Sequence, residues 1–283
     1  MRVLALLGRG VVPADTPVLR ADDLGVLRGD GVFETMHVRD GRPWLLTEHL
    51  GRMRASARRI DLPLPDADEL TELTSQVCAA WPPQREGALR LVCTRGPEAG
   101  GTLTAYALLT AVGPGQLRAR RDGVAVATAS LGLAAGARPD APWLLGGVKS
   151  LSYATNMASL RWAADKGVDD ALWVSADGWA LEAPTASLVW LDGDALCTVP
   201  SADTGILPGC TAAALLAAAP TIGLTGAERM IRPAALADLD GAWLASSVRG
   251  LAEIRSLDGA PLRPSTRTRQ LLDLLGFATP PPA

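Results

Sequence analysis

Asp-Gly dipeptides at 40–41, 177–178, 192–193 and 258–259 punctuate the chain between runs rich in β-formers. A two-residue turn of this kind needs positive φ, which glycine adopts freely and aspartate tolerates, and its twist suits the two arms of a hairpin. GVFETMHVRDGRPWLL (31–46) reads as strand, turn, strand, and DALWVSADGWALEAPTASLVWLDGDALCTV (170–199) as a meander with two such turns. Both predict antiparallel pairing rather than the strand–helix alternation of a doubly wound sheet.

Helical patterns sit between the hairpins. In TEHLGRMRASARRIDLP, Leu50, Met53, Ala57 and Ile60 share one face, and Thr47 is the predicted N-cap. Residues 66–80 predict a second helix, stopped by Pro82 and Pro83. Tyr153, Met157, Leu160 and Ala164 mark a third, closed by Gly167. Residues 211–219 form a fourth before Pro220, and TRQLLDLLG the last, with ATPPPA beyond it expected to fray. A chain of 283 residues that is 48% hydrophobic can build two domains. The glycines, proline and basic run of VGPGQLRARRDG suggest the division. An N-terminal α+β domain is expected over 1–112, a linker over 113–122, and a C-terminal α/β domain over 123–283.

Composition narrows the function. The net charge is −3 and the basic residues are scattered, so neither a nucleic-acid nor an anionic-membrane surface is expected. Cys78, Cys93, Cys197 and Cys210 show no metal spacing, and His37 and His49 are too few for a histidine-rich site. No apolar span reaches 18 residues, and the N-terminal apolar run is too short for a signal peptide. A soluble, cytoplasmic protein with reduced thiols is expected.

Among 27 basic residues only Lys149 and Lys166 are lysine. Lys149 lies in WLLGGVKSLSYATNM, an apolar and hydroxyl-bearing run. Arginine stays protonated, whereas a desolvated lysine can serve as an amine nucleophile or base. A surface lysine left by chance is the alternative. GILPGCTAAALL (205–216) leads a glycine turn into a helix, which suits a phosphate or an ordinary helix start. Arg52 lies off the apolar face of its helix, free to be a ligand or merely solvated. Glu182, in WALEAPTAS, sits either on an exposed hairpin edge or against a buried cation. A lysine, a phosphate cradle and a well-placed acid together are what pyridoxal 5′-phosphate (PLP) requires.

RGDGVFETMHVRDG, EHLGRMRASA, KSLSYATNM, LEAPTAS and GILPGCT occur in this order. The series resembles the class IV (fold type IV) PLP-dependent enzymes over about residues 20–260. That family includes branched-chain and D-amino-acid aminotransferases and aminodeoxychorismate lyase. The resemblance implies a two-domain, mixed α and β fold like that of D-amino-acid aminotransferase, a small-molecule substrate and a homodimer. It makes Lys149 the Schiff-base lysine and places Tyr153 near the cofactor's ring hydroxyl. Glu182 becomes the partner of the pyridine nitrogen. Arg52, Cys210, Thr211 and Ser247 become phosphate ligands.

Phe33-Glu34-Thr35 and SSVRGLAEI look more like the lyase than like branched-chain aminotransferases. The resemblance therefore implies conversion of 4-amino-4-deoxychorismate to 4-aminobenzoate and pyruvate. The alternative is transamination of D-amino acids or branched-chain L-amino acids. Arg95, Arg249 and Thr35 are the expected substrate contacts. Ser187 stands where many relatives have Asn, Ala212 where many have Arg, and the segment after Arg95 lacks the second arginine of some lyases.

Overall fold

The alternation promised by the hairpin signals is clearest in the first of two units into which this computed structural model divides; it describes residues 1–277. That unit comprises Met1–Gly113 and Val148–Tyr153. β1 (Arg2–Leu6) and β2 (Gly10–Val12) form a hairpin, followed by a single helical turn, α1 (Leu24–Leu27). β3 (Gly31–Arg39) and β4 (Arg42–Pro43) are joined at Asp40-Gly41, both at positive φ. After α2 (Leu46–Arg59) and α3 (Ala67–Ala79) come β5 (Gly87–Thr94) and β6 (Thr104–Ala111). The sheet runs β2-β1-β6-β5-β3-β4, antiparallel throughout.

Its core forms where Val32, Met36, Val38, Leu89 and Leu91 of the sheet meet Met53, Ala57, Leu70, Leu73 and Val77 of the two helices. Alternation along β3 therefore sends Val32, Glu34, Met36 and Val38 to the helix-covered face, and Phe33 and Thr35 to the other. α3 is started by a capping box in which Asp66 and Glu69 satisfy each other's backbone N–H. α2 begins instead at Leu45, in left-handed conformation and without a side-chain cap; Thr47, the predicted cap, lies within the first turn.

The second unit holds the remaining residues. Its elements are α4 (Pro114–Asp122), β7 (Val124–Ser130), α5 (Ala137–Asp140), α6 (Ala154–Asp165), β8 (Asp170–Val174), β9 (Glu182–Ala183), β10 (Ala186–Asp192) and β11 (Ala195–Thr198). They continue through α7 (Ser201–Thr204), α8 (Cys210–Ala218), β12 (Thr225–Glu228), β13 (Gly241–Ser246), β14 (Gly250–Leu257), β15 (Ala260–Pro261) and α9 (Thr268–Leu274). The sheet order is β12-β11-β10-β13-β14-β7-β8, with β9 on β10 and β15 on β14.

Three sequence expectations change here. The meander is antiparallel, but β7 pairs in parallel with β8 and β14, and β11 with β12. Helices α6 and α8 make the crossovers that parallel neighbours require. Residues 113–122 are not a linker. Pro114–Asp122 is a helix of the second unit, anchored by Arg120, whose Nε and Nη2 donate to the carbonyls of Arg249 (3.0 Å) and Val248 (2.8 Å). Lys149 belongs to the first unit, not to the C-terminal domain, because its segment is hydrogen-bonded along β3.

The predicted helix from Tyr153 forms as α6, yet only Ala163 of it is buried and Met157 is exposed. All four cysteines are buried and none is in a disulfide. Residues 278–283, expected to fray, lie outside the described residues. No described helix is long and apolar enough to cross a membrane.

Leu70, fully buried in α3 and remote from the residues discussed below, tests the first core. Leu70→Ala is expected to cost about 3 kcal/mol in denaturant unfolding, within the range for deleting a buried leucine. A loss below about 1 kcal/mol would contradict this packing.

Candidate active site

Lys149 is positioned by backbone first. Its carbonyl accepts from Phe33 N–H (3.1 Å), its N–H donates to Ser56 Oγ (3.1 Å), and Leu151 N–H donates to Gly31 O (2.9 Å). The segment is thus tied to the start of β3. Nζ lies 4.4 Å from the centre of the Phe33 ring and 5.5 Å from that of Tyr153. The two rings meet edge-on at 5.2 Å. An amine held against aromatic rings has few rotamers open to it and a partly desolvated head. Thr35 follows Phe33 on the same face of β3. Lys166, in contrast, is exposed.

Helix α2 presents a polar stripe beside its apolar one. His49, Arg52 and Ser56 follow at helical spacing. Arg52 Nε donates to Glu34 Oε1 (2.8 Å) and Nη2 to Oε2 (2.7 Å), while His49 Nδ1 donates to Oε2 (2.6 Å). Glu34 and His49 have no solvent exposure, and the Arg52 side chain is 9% exposed. Burial pushes the Glu34 carboxyl up. The Arg52 charge and hydrogen bonds, with the His49 hydrogen bond, overcome it and hold the group at about 2. The sequence pointed to Arg52 but not to its partners. The available signal was Glu34 itself, an acid in register with Val32 and Met36 on the core face of an alternating strand.

Arg95 departs from the expected substrate contact. Nε and Nη2 bind Asp30 (2.6 and 3.1 Å), Nη1 donates to Asp61 O (3.0 Å) and Nη2 to Ile60 O (2.7 Å). A guanidinium with all three nitrogens so engaged clamps its own loop.

In the second unit, Glu182 opens β9 opposite Ser187 and is buried. It is the paired acid of the two alternatives. Arg138 Nη1 approaches Oε1 at 3.4 Å, and Leu207 N–H donates to Oε2 at 3.2 Å. Arg138, which the sequence did not single out, fits because Gly146 and Gly205 leave room. A Cβ on either would come within 2.7 Å of Arg138 Cβ.

Helix α8 begins at Cys210, and its N-cap residue, Gly209, has no side chain to cap it. Thr211 Oγ1 lies 3.4 Å from Ser247 Oγ, and a Cβ at position 209 would strike Ser187 Oγ at 2.2 Å. Hydroxyls gathered at a helix start, with glycine enforcing close approach, suit a phosphate. Ser247 stands on the β13–β14 turn that Arg120 braces. Arg249, the other expected substrate contact, is 5% exposed, and its Nη1 is paired with buried Asp170 at 3.0 Å. It is closed off from solvent and braces the same turn. Among the described residues no cluster could hold a metal ion.

Comparison with known proteins accounts for this combination. The model of the amino-transferase class IV family matches residues 31–257. The chain belongs to that family. It is 42% identical, over 87% of its length and 88% of the relative's, to the bifunctional aminodeoxychorismate lyase / D-amino acid transaminase of Mycobacterium tuberculosis. Among solved structures it resembles the PLP-bound form of a hypothetical aminotransferase from M. tuberculosis, with a TM-score of 0.92, 39% identity and 98% of each chain covered. It also resembles the fold IV transaminase CpuTA1 of Curtobacterium pusillum, with a TM-score of 0.91, 36% identity and 97% coverage of each. Class IV enzymes use PLP. The residues here suit that cofactor: a lysine amine beside two aromatic rings, a buried carboxylate fixed in place, and a helix start beside two hydroxyls.

The low position of Glu34 makes stability depend on acid. A carboxylate depressed from 4.5 to about 2 contributes stability that is fully present above pH 4.5 and lost as pH falls toward 2. Unfolding free energy measured against pH should therefore fall more steeply in that window for the wild type than for Glu34→Gln. At pH 7 the variant should be less stable by about 3 kcal/mol, having left a buried cation uncompensated. Parallel pH profiles would contradict the assignment.

Proposed function

We propose that this class IV enzyme is a PLP-dependent lyase converting 4-amino-4-deoxychorismate to 4-aminobenzoate and pyruvate. The observation that carries the reading is the 42% identity, across 87% of the chain, to a relative named for that lyase activity. Phe33-Glu34-Thr35 and the SSVRGLAEI segment support it.

When bound, PLP supplies an electron sink conjugated to the substrate nitrogen. Lys149 would hold the cofactor through Nζ, and its amine would also act as the base. It takes the proton from the ring carbon that bears the nitrogen. As that C–H bond breaks, the bond from the adjacent ring carbon to the enolpyruvyl oxygen breaks too, and the new ring double bond completes the aromatic product. The departing enolpyruvate gains a proton to become pyruvate. Phe33 and Tyr153 aim Nζ, and Tyr153 holds the cofactor's ring hydroxyl. Glu182, fixed by Arg138 and the Leu207 N–H, keeps the pyridine nitrogen protonated. Arg52, the N–H groups of Cys210 and Thr211, and the hydroxyls of Thr211 and Ser247 take the phosphate. Thr35 faces the substrate. Arg95 and Arg249 each also hold an acid of this chain, Asp30 and Asp170.

Transamination of D-amino acids is the second reading, favoured by the other half of the same relative's name. There Lys149 would carry the proton from the amino acid's Cα to the cofactor. A homodimer is proposed with either reading. Trp143, 78% exposed, with Met157 and Trp162, offers apolar surface of the kind a subunit contact covers.

Incubation of the PLP-loaded protein with aminodeoxychorismate should release 4-aminobenzoate and pyruvate in equal amounts over many turnovers. Absence of both, with D-amino acids converting the cofactor to its pyridoxamine form, would replace the lyase with the transaminase. Lys149→Ala should lose the absorbance of the lysine-bound cofactor and slow either reaction at least about a thousandfold, as removal of a general base does. Retained turnover would refute the mechanism.

A further inference from the structure

We propose that Glu34, held in turn by His49, is a positioning residue that sets the Arg52 guanidinium for the cofactor phosphate. The inference rests on Arg52 taking that phosphate, as proposed for this enzyme.

The geometry is specific. Glu34 receives Nε and Nη2, the side edge of the guanidinium, in a two-point contact at 2.8 and 2.7 Å. Because the group is planar, two parallel bonds to one edge fix both its plane and its in-plane rotation. The end-on edge, made by Nη1 and the outer N–H of Nη2, is then directed away from the carboxylate. The carboxylate is itself fixed. It sits on β3, opposite Leu91 of β5, and accepts from His49 Nδ1 at 2.6 Å with no solvent exposure on either residue. An arginine without such a partner would sample many rotamers before meeting an anion, and ordering it would weaken binding. The arrangement also has a cost: Glu34 cancels much of the charge that Arg52 offers a phosphate. Orientation is the return. Neither His49 nor Glu34 has an exposed route to substrate, so both act through Arg52.

A purely structural role would lower stability without altering recognition of the phosphate. The two are separated by comparing PLP with pyridoxal, which lacks the phosphate but retains the aldehyde for Lys149. Dissociation constants for both are measured by absorbance titration on the full-length apoprotein, wild type and Glu34→Gln, below the unfolding temperature of each.

The expected result is a rise of tenfold or more in the PLP constant for Glu34→Gln, with the pyridoxal constant unchanged. Equal changes for the two ligands, or no change in either, would overturn the inference. Glu34→Asp keeps the charge but shortens the reach. It should show a smaller loss confined to PLP, and it applies the same criterion if the glutamine variant does not fold. A wild type that binds PLP no more tightly than pyridoxal would remove Arg52 from the phosphate, and the inference with it. A wild type that forms no lysine-bound cofactor would refute the proposed function itself.

Discussion

A carboxylate with no access to water cannot stay charged without partners, and Glu34 is such a carboxylate on the core face of β3. Its two partners come from one helix, three residues apart, so α2 must dock in the register that brings His49 and Arg52 onto it. That register also delivers Ser56 to the backbone of Lys149. Replacing such an ionic cluster with apolar residues commonly gains stability, so its presence points to a demand beyond folding. Here one buried charge couples the packing of the first unit to the placement of Lys149.

The second unit solves a similar problem with different parts. Glu182 is held by Arg138 and by a backbone N–H, and two glycines clear the space for that arginine. Arg120 reaches the carbonyls beneath the β13–β14 turn and stacks on Phe277, while Arg249 pairs with Asp170. The turn so braced carries Ser247 to the start of α8. Each unit thus spends buried arginines on fixing a group that would act on a ligand.

Much of this was legible in the sequence because the signals are local. Asp-Gly turns depend on two residues, and those at 40–41, 177–178, 192–193 and 258–259 mark hairpins or tight reversals between strands. The lysine stood out against 25 arginines, and the ordered motifs carried the cofactor. What was missed depends on contacts distant in the chain. The parallel pairings of β7 arise from strands separated by helices. Arg120 is 129 residues from the carbonyl it holds, so its helix read as a basic linker. Arg138 meets Glu182 across 44 residues. Arg95 and Arg249 show the same limit: motif position suggests a ligand, and the acids with which each also pairs, Asp30 and Asp170, are invisible to the motif.

The central claim is that Lys149 carries the cofactor. Its direct test is to load the protein with PLP, reduce with borohydride and map the resulting pyridoxyl group by peptide mass spectrometry. The account predicts one label, on Lys149, and none on exposed Lys166. A label on Lys166 or on the N-terminal amine, with Lys149 unmodified, would contradict it.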